Sequence, residues 1–282
     1  MLTLRGAGLT VSVLEPSVDT ARLGSRYVAG GYVWQVTDER HGELLAGPQF
    51  PAKEPWTFDG QGLPEVFETA LGAERAKVGD EVYVIGVGRV RRESAVRPFH
   101  VRDNPSVTER AAWALDVTDT RVGAETHGEL DGFAFTLARR VELRGRTLVS
   151  ATHVRNGGEK ALPVRWFAHP FFPWAGAETC RLSLESALPE GAPLVENESG
   201  YFARRPGVDW SPGHYMKPRV PLGGELNVEQ RHPTLGVVRV ECQFPLGDLA
   251  LWGNSNTFSF EPFFQTLVTP GAAARWSVAY TF

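Results

Sequence analysis

Two short stretches combine groups able to move protons with side chains able to wall a ring. The first is LPVRWFAHPFF (162–172), where His169 stands among Trp166, Phe167, Phe171 and Phe172, with Trp174 just beyond. A strand built only to fill a core would put a hydrophobe at position 169. Either His169 is a buried, hydrogen-bonded spacer, or it is an acid or base in a pocket, its titration tuned by desolvation or by a carboxylate partner. Aromatic walls such as Phe172 and Trp174 suit the apolar faces of sugar rings, so both are candidate substrate-binding residues. The second stretch is NTFSFEPFF (256–264), where Glu261 interrupts a run of phenylalanines. A carboxylate in that setting needs a partner or its pKa rises. Facing a histidine, it would take protons from oxygen and return them; the alternative is an edge-strand residue pointing into solvent.

No other motif competes with this pair. The chain has no nucleophile elbow, phosphate loop, dinucleotide fingerprint or zinc-protease helix. GVGRV (86–90) lacks the third glycine of a dinucleotide loop and reads as a turn between strands. His127, in THGELDG, reads as a turn residue, and His153 lies in a strand and could face either way. Residues 184–233 are rich in Pro and Gly. They carry Tyr201, Trp210, His214 and Tyr215, suited either to stacking on a ligand or to surface packing.

The elements that must position these residues are strands. Period-2 alternation runs through GVVRVECQF (236–244), WSVAYTF (276–282), FAFTLARRVEL (133–143) and TLVSATHV (147–154), the pattern of half-buried antiparallel strands. Thirty glycines and twenty prolines punctuate them as turns and irregular loops. Only PEVFETALGAERA (64–76) has helical character, with a proline at its start and Phe67 and Leu71 four apart. No repeat and no low-complexity linker divides the chain, so residues 1–282 are expected to form one large all-β domain, an antiparallel β-sandwich.

Composition sets the outer bounds. Twenty-nine lysines and arginines against thirty-three aspartates and glutamates leave a net charge of −4, and the arginines are scattered. Nucleic acid is therefore not an expected partner, because phosphate binding needs a concentrated positive surface. Two cysteines, Cys180 and Cys242, read as buried reduced thiols, and no Cys/His spacing suggests structural zinc. No apolar run is long enough to span a bilayer and no leader pattern opens the chain, so a soluble cytoplasmic protein with no membrane partner is expected.

Several segments together resemble the galactose mutarotase-like superfamily, which includes the aldose 1-epimerases and hexose-6-phosphate mutarotases. RRVELRGRTLVSATHVRNGGEKALPVRWFAHPFF (139–172) is similar to that family's strand pair, its Asn156–Gly157 turn and the buried strand ending in His-Pro. LALWGNSNTFSFEPF (249–263) resembles its late strand pair ending in a glutamate, and TPGAAARWSVAYTF (269–282) its closing turn and strand. DTARLGSRYVAGGYVWQVTD (19–38) resembles its opening strands more weakly, and GQGLPEVFE (60–68) points to a divergent branch. The resemblance implies a large β-sandwich (a supersandwich) with the sugar in an open cleft. It also implies anomer interconversion without a cofactor or metal, His169 acting as general acid and Glu261 as general base.

The chain lacks the family's first-half His-Gly-Gly motif. RPFHVRDN (97–104) lies about where that motif would fall, making His100 and Arg102 further candidates for substrate binding. The expected protein is thus an aldose 1-epimerase (mutarotase) of carbohydrate metabolism, acting on a sugar or sugar phosphate as a monomer or homodimer. A non-catalytic carbohydrate-binding or regulatory protein on the same fold is the alternative.

Overall fold

In the computed structural model, which describes residues 1–50 and 56–282, period-2 alternation becomes antiparallel sheet almost throughout. Four long strands, Arg121–Leu130, Phe133–Arg144, Thr147–Asn156 and Ala273–Thr281, lie side by side. With Ala114–Val117, Gly236–Gln243, Leu226–His232 and Cys180–Leu182 they form an eight-stranded sheet. Along its central strands one face is buried and the other more open, as in the e-i-B-e-B-e-B-e burial of Gly236–Gln243. A six-stranded sheet packs against it, ordered His214–Met216, Asp248–Gly253, Thr257–Val268, Leu162–Ala168 and Glu65–Phe67. The short strand Phe172–Pro173 also pairs with Thr257–Val268. Two four-stranded sheets complete the molecule with a two-stranded ribbon, one sheet within residues 2–43 and one within 70–110.

The main core lies between the two large sheets. Trp276 of the eight-stranded sheet meets Trp166, Phe67 and Phe264 of the other at ring-centroid distances of 5.5, 6.0 and 4.6 Å. A buried ion pair crosses the same layer. Arg139 reaches Glu65, whose two oxygens also accept from Ser150 Oγ at 2.6 Å and Trp166 Nε1 at 3.0 Å. Arg139 further donates to Thr152 Oγ1 and, at 2.9 Å, to Ser150 Oγ, so the charges enter the core with their hydrogen bonds filled.

A second core covers the outer face of the six-stranded sheet. Phe167, Phe171, Ala250 and Phe263 pack there against Leu14, Leu23, Tyr27, Tyr32 and Trp34 from the N-terminal segment. The sheet is therefore buried on both faces, and Thr257–Val268 opens with eight consecutive buried residues instead of alternating. Such continuous runs belong to strands covered on both sides.

Two sequence expectations change and a third, left open, is resolved. Residues 64–76 form no helix: Glu65–Phe67 pairs with Trp166–Ala168, Ala70–Leu71 pairs with Tyr83–Val84, and turns follow. Pairing and the Glu65–Arg139 contact override a weak local preference. His127 lies mid-strand opposite Thr136, the turn falling instead at Asp131–Gly132, where both φ angles are positive. His153 is cross-strand to Ala138 and Arg275 on the solvent side of the eight-stranded sheet. Within GVGRV, Gly86 and Val87 lie in the turn between Glu81–Val84 and Gly88–Arg91, and the last three residues open the second of those strands. Cys180 and Cys242 are buried and unpaired. Among the described residues, no helix is long and apolar enough to cross a membrane.

Candidate active site

The register of two neighbouring strands brings His169 and Glu261 together. Phe167 pairs with Phe263 and, beyond a gap, Phe172 pairs with Phe258. Both pairs keep one register, and within the gap that register sets His169 opposite Glu261. Alternation then turns Phe167, His169 and Phe171 outward with Ser259, Glu261 and Phe263, while Phe172, Phe258 and Phe260 face the main core. His169 Nε2 lies 3.4 Å from Glu261 Oε1, and Nδ1 lies 2.8 Å from Ser259 Oγ. Pro170 biases His169 towards an extended backbone, and the His169 amide donates to Pro64 O at 2.9 Å. The loop supplying that carbonyl needs glycine at 62, because a Cβ there would stand 2.4 Å from the carbonyl oxygens of Val33 and Trp34.

The pair forms part of the lining of a cavity of about 550 Å³. Its aromatic walls include Phe167, Phe171, Trp252, Phe263 and Tyr215. The Phe171 ring lies 4.4 Å from the imidazole, and the Trp252 ring stands edge-on at 6.2 Å. The polar groups on the lining are Arg26, Asp59, Glu68, His100 and Arg102. The Arg26 guanidinium lies over the rings of Phe58 and Tyr27 at 4.6 and 5.1 Å and donates to Phe58 O. Glu68 is held by Arg165, which lies over Phe263 and also reaches Asp248. His100 caps a short 3-10 turn, Val101–Asp103, by accepting the Arg102 amide at Nδ1.

Four of the six candidate residues thus line one cavity: His169, Glu261, His100 and Arg102. Phe172 and Trp174 do not. Phe172 stacks on Phe260 in the main core, and Trp174 packs against Trp210 and Phe258 while donating to Asn254 O at 2.8 Å. The aromatic positions beside His169 that do reach the cavity include Phe171, one residue earlier, and Trp252. Of the aromatics in residues 184–233, Tyr215 lines the cavity. Trp210 joins Trp174, His214 bonds Asp209 O, and Tyr201 bonds Glu229. Arg26 and Glu68 carried no signal in the sequence. Ser259, Phe171 and Phe263 are what alternation through His169 and Glu261 predicts. Among the described residues, no group of three or more His, Cys, Asp or Glu side chains is placed to hold a metal ion.

No protein-family model matches the chain, and no curated protein matches its sequence. Solved structures do match it. A galactose mutarotase related enzyme from Lactobacillus acidophilus superposes with a TM-score of 0.62 at 12% identity, over 99% of this chain and 96% of that one. A galactose mutarotase-like protein from Lactobacillus casei gives 0.55 at 15% identity, over 100% and 99%. One from Clostridium acetobutylicum gives 0.52 at 12%, over 99% and 93%. The fold is the galactose mutarotase-like β-sandwich.

Within this galactose mutarotase-like fold, the electrostatics of the buried pair follow from its covering. Burial pushes the Glu261 carboxyl up to about 7, an effect the Arg26 charge partly offsets. Burial, reinforced by Arg26, holds the His169 imidazole well below its ordinary value. Both effects favour carboxyl and neutral imidazole over carboxylate and imidazolium. The two forms hold the same proton, and moving it from Oε1 to Nε2 interconverts them. At the cavity rim, burial lowers the pKa of His100, helped by Arg26. Tyr215 is pushed up to about 12 by burial and by the nearby Glu261, Asp248 and Glu68 carboxylates.

Proposed function

We propose that this chain is a cofactor-independent aldose 1-epimerase that interconverts sugar anomers through His169 and Glu261. The observation that carries the reading is the 3.4 Å contact of one carboxylate with one imidazole at an aromatic-walled cavity. Anomer exchange needs a base for the hydroxyl on C1 and an acid for the ring oxygen, and those two oxygens share one carbon. A base and an acid side by side serve both without rearrangement. Glycoside hydrolysis, by contrast, uses two carboxylates about 5–9.5 Å apart.

The steps balance on one proton. With substrate in place, the shared proton moves to Nε2, leaving Glu261 as carboxylate. Glu261 takes the proton of the C1 hydroxyl as His169 Nε2–H protonates the ring oxygen. The C1–O5 bond breaks and C1 becomes the open-chain aldehyde. Rotation about C1–C2 presents the other face of the carbonyl, and the reverse transfers reclose the ring and restore the pair. Phe171 and Trp252 supply apolar faces for the ring. Arg26, His100 and Arg102 are donors suited to hydroxyl groups or to a phosphate on the same sugar.

The test is proton NMR of anomeric signals after adding catalytic protein to freshly dissolved α-D-glucose, α-D-galactose and glucose 6-phosphate. Accelerated exchange for at least one of them, abolished in Glu261→Gln and His169→Ala, is expected. Sugar binding that survives Glu261→Gln, with no exchange in the wild type, would replace the epimerase reading with a carbohydrate-binding one.

A further inference from the structure

The buried pair has a third member that sequence motifs did not single out. Ser259 stands two residues before Glu261 on the same face of Thr257–Val268, and its Oγ lies 2.8 Å from His169 Nδ1. The imidazole is thus gripped at both nitrogens by one strand: Glu261 opposite it, Ser259 on the diagonal. Serine, histidine and glutamate in a line are the composition of a hydrolytic triad, in which the serine attacks substrate and the carboxylate stands behind the histidine. Here the order is reversed. Ser259 is 0% exposed and off the cavity lining, whereas Glu261 is on it. A hydroxyl sealed behind the ring reaches no substrate.

We propose that Ser259 is a positioning residue that accepts the Nδ1 proton of His169, leaving Nε2 as the nitrogen that exchanges protons with Glu261 and the cavity. Among the described residues Ser259 is the hydrogen-bond partner recorded at Nδ1. A protonated Glu261 facing Nε2 at 3.4 Å finds its acceptor there when Nε2 carries the lone pair, which puts the hydrogen of the neutral ring on Nδ1. When Nε2 gains its proton, Nδ1–H still needs an acceptor, and Ser259 Oγ serves unchanged. Were the serine hydroxyl the donor instead, it would have to rotate away each time the ring charged. The aromatic neighbours Phe167 and Phe171 offer no hydrogen-bonding alternative at either nitrogen.

This inference rests on the acid–base reading of the site, and its first test is independent of turnover. Nitrogen-15 NMR of histidine-labelled protein at pH 6, where Glu261 keeps its proton and His169 is neutral, is expected to show His169 with a protonated Nδ1 and an unprotonated Nε2. The opposite tautomer would overturn the proposal. Ser259→Ala is expected to redistribute the tautomers. For the sugar that exchanges fastest in the panel above, it should also lower kcat by roughly 10- to 100-fold with KM little changed, the loss of one hydrogen bond to a charged group. Ser259→Thr, which keeps the hydroxyl, is expected to retain the wild-type tautomer; a Thr variant behaving like Ala would count against it. A fluorophosphonate probe is expected to leave Ser259 unlabelled, and labelling would make it a nucleophile instead. Should the tautomer behave as described while no sugar exchanges, the positioning role stands and the epimerase assignment falls.

Discussion

Replacing Glu261 by glutamine should abolish activity and yet make the protein more stable in a pH-dependent way. The unfolded chain gives up the Glu261 proton near 4.5, the folded protein near 7, because the carboxyl is buried beside aromatic rings. Between those values the folded state binds more proton than the unfolded state, so unfolding free energy falls as pH rises through that window. Above pH 7 the full cost is present, about 3 kcal/mol for a displacement of that size. Glutamine has the same shape and no proton to lose, so the variant escapes the cost. His169, with its lowered pKa, acts in the other direction, losing stability as pH falls below the ordinary histidine value, but it is present in both proteins. The assay is thermal or urea unfolding of wild type and Glu261→Gln in parallel at pH 5, 6, 7 and 8. The stability advantage of the variant should grow across that range towards about 3 kcal/mol, roughly 5–10 °C in Tm. A difference that stays flat with pH would mean that Glu261 ionises as a hydrated carboxylate does, and the shared-proton mechanism would fail with it.

Other expected outcomes concern the same residues and their supports. The active pair holds one proton, so kcat/KM should fall above about pH 7 as that proton leaves, and fall again in acid as His169 takes a second. Arg26→Met removes a charge that lowers both groups, so both limbs of that profile should move to higher pH. Glu65→Ala strands the buried Arg139 charge and should cost about 3–5 kcal/mol in urea unfolding. Trp252→Ala should raise KM, whereas Trp174→Ala, outside the cavity, should leave it unchanged while lowering Tm.

Strand-level structure was legible because it rests on local alternation. The strands Gly236–Gln243 and Ala273–Thr281 lie where period 2 puts them, with Val238, Val240, Trp276 and Val278 in the core. Residues 64–76 form strands and turns despite their helical spacing, because that spacing is only a local preference, outweighed by pairing with Trp166–Ala168 and by Arg139. Aromatic density near His169 points to Phe172 and Trp174 as cavity walls, but density alone ignores parity. On a strand, neighbours face opposite ways, so Phe171 shares the face of His169 and Phe172 does not. The cluster Arg26, Glu68 and Tyr215 joins three distant segments around one opening, and no spacing along the chain records such a meeting.

The same geometry explains why an ionisable residue persists in a strand that opens with eight consecutive buried residues. An antiparallel sheet with one solvated face would leave Glu261 hydrated, with an ordinary pKa and little use as a base near neutrality. The N-terminal segment covers that face with Tyr27, Tyr32 and Trp34, excludes water, and stops at the cavity. One layer therefore contributes hydrophobic stability and withdraws solvation from the carboxyl, so the fold carries an energetic penalty at the position the proposed chemistry uses. Thinning that layer at a residue off the cavity lining, as in Tyr32→Ala, should let water reach the outer face. The alkaline limb of the pH profile should then shift down towards the ordinary carboxylate range, while the inter-sheet core, anchored by Trp276 and Arg139, holds the sandwich together. An alkaline limb that did not move would place the source of the raised pKa in the His169 contact itself rather than in the covering layer.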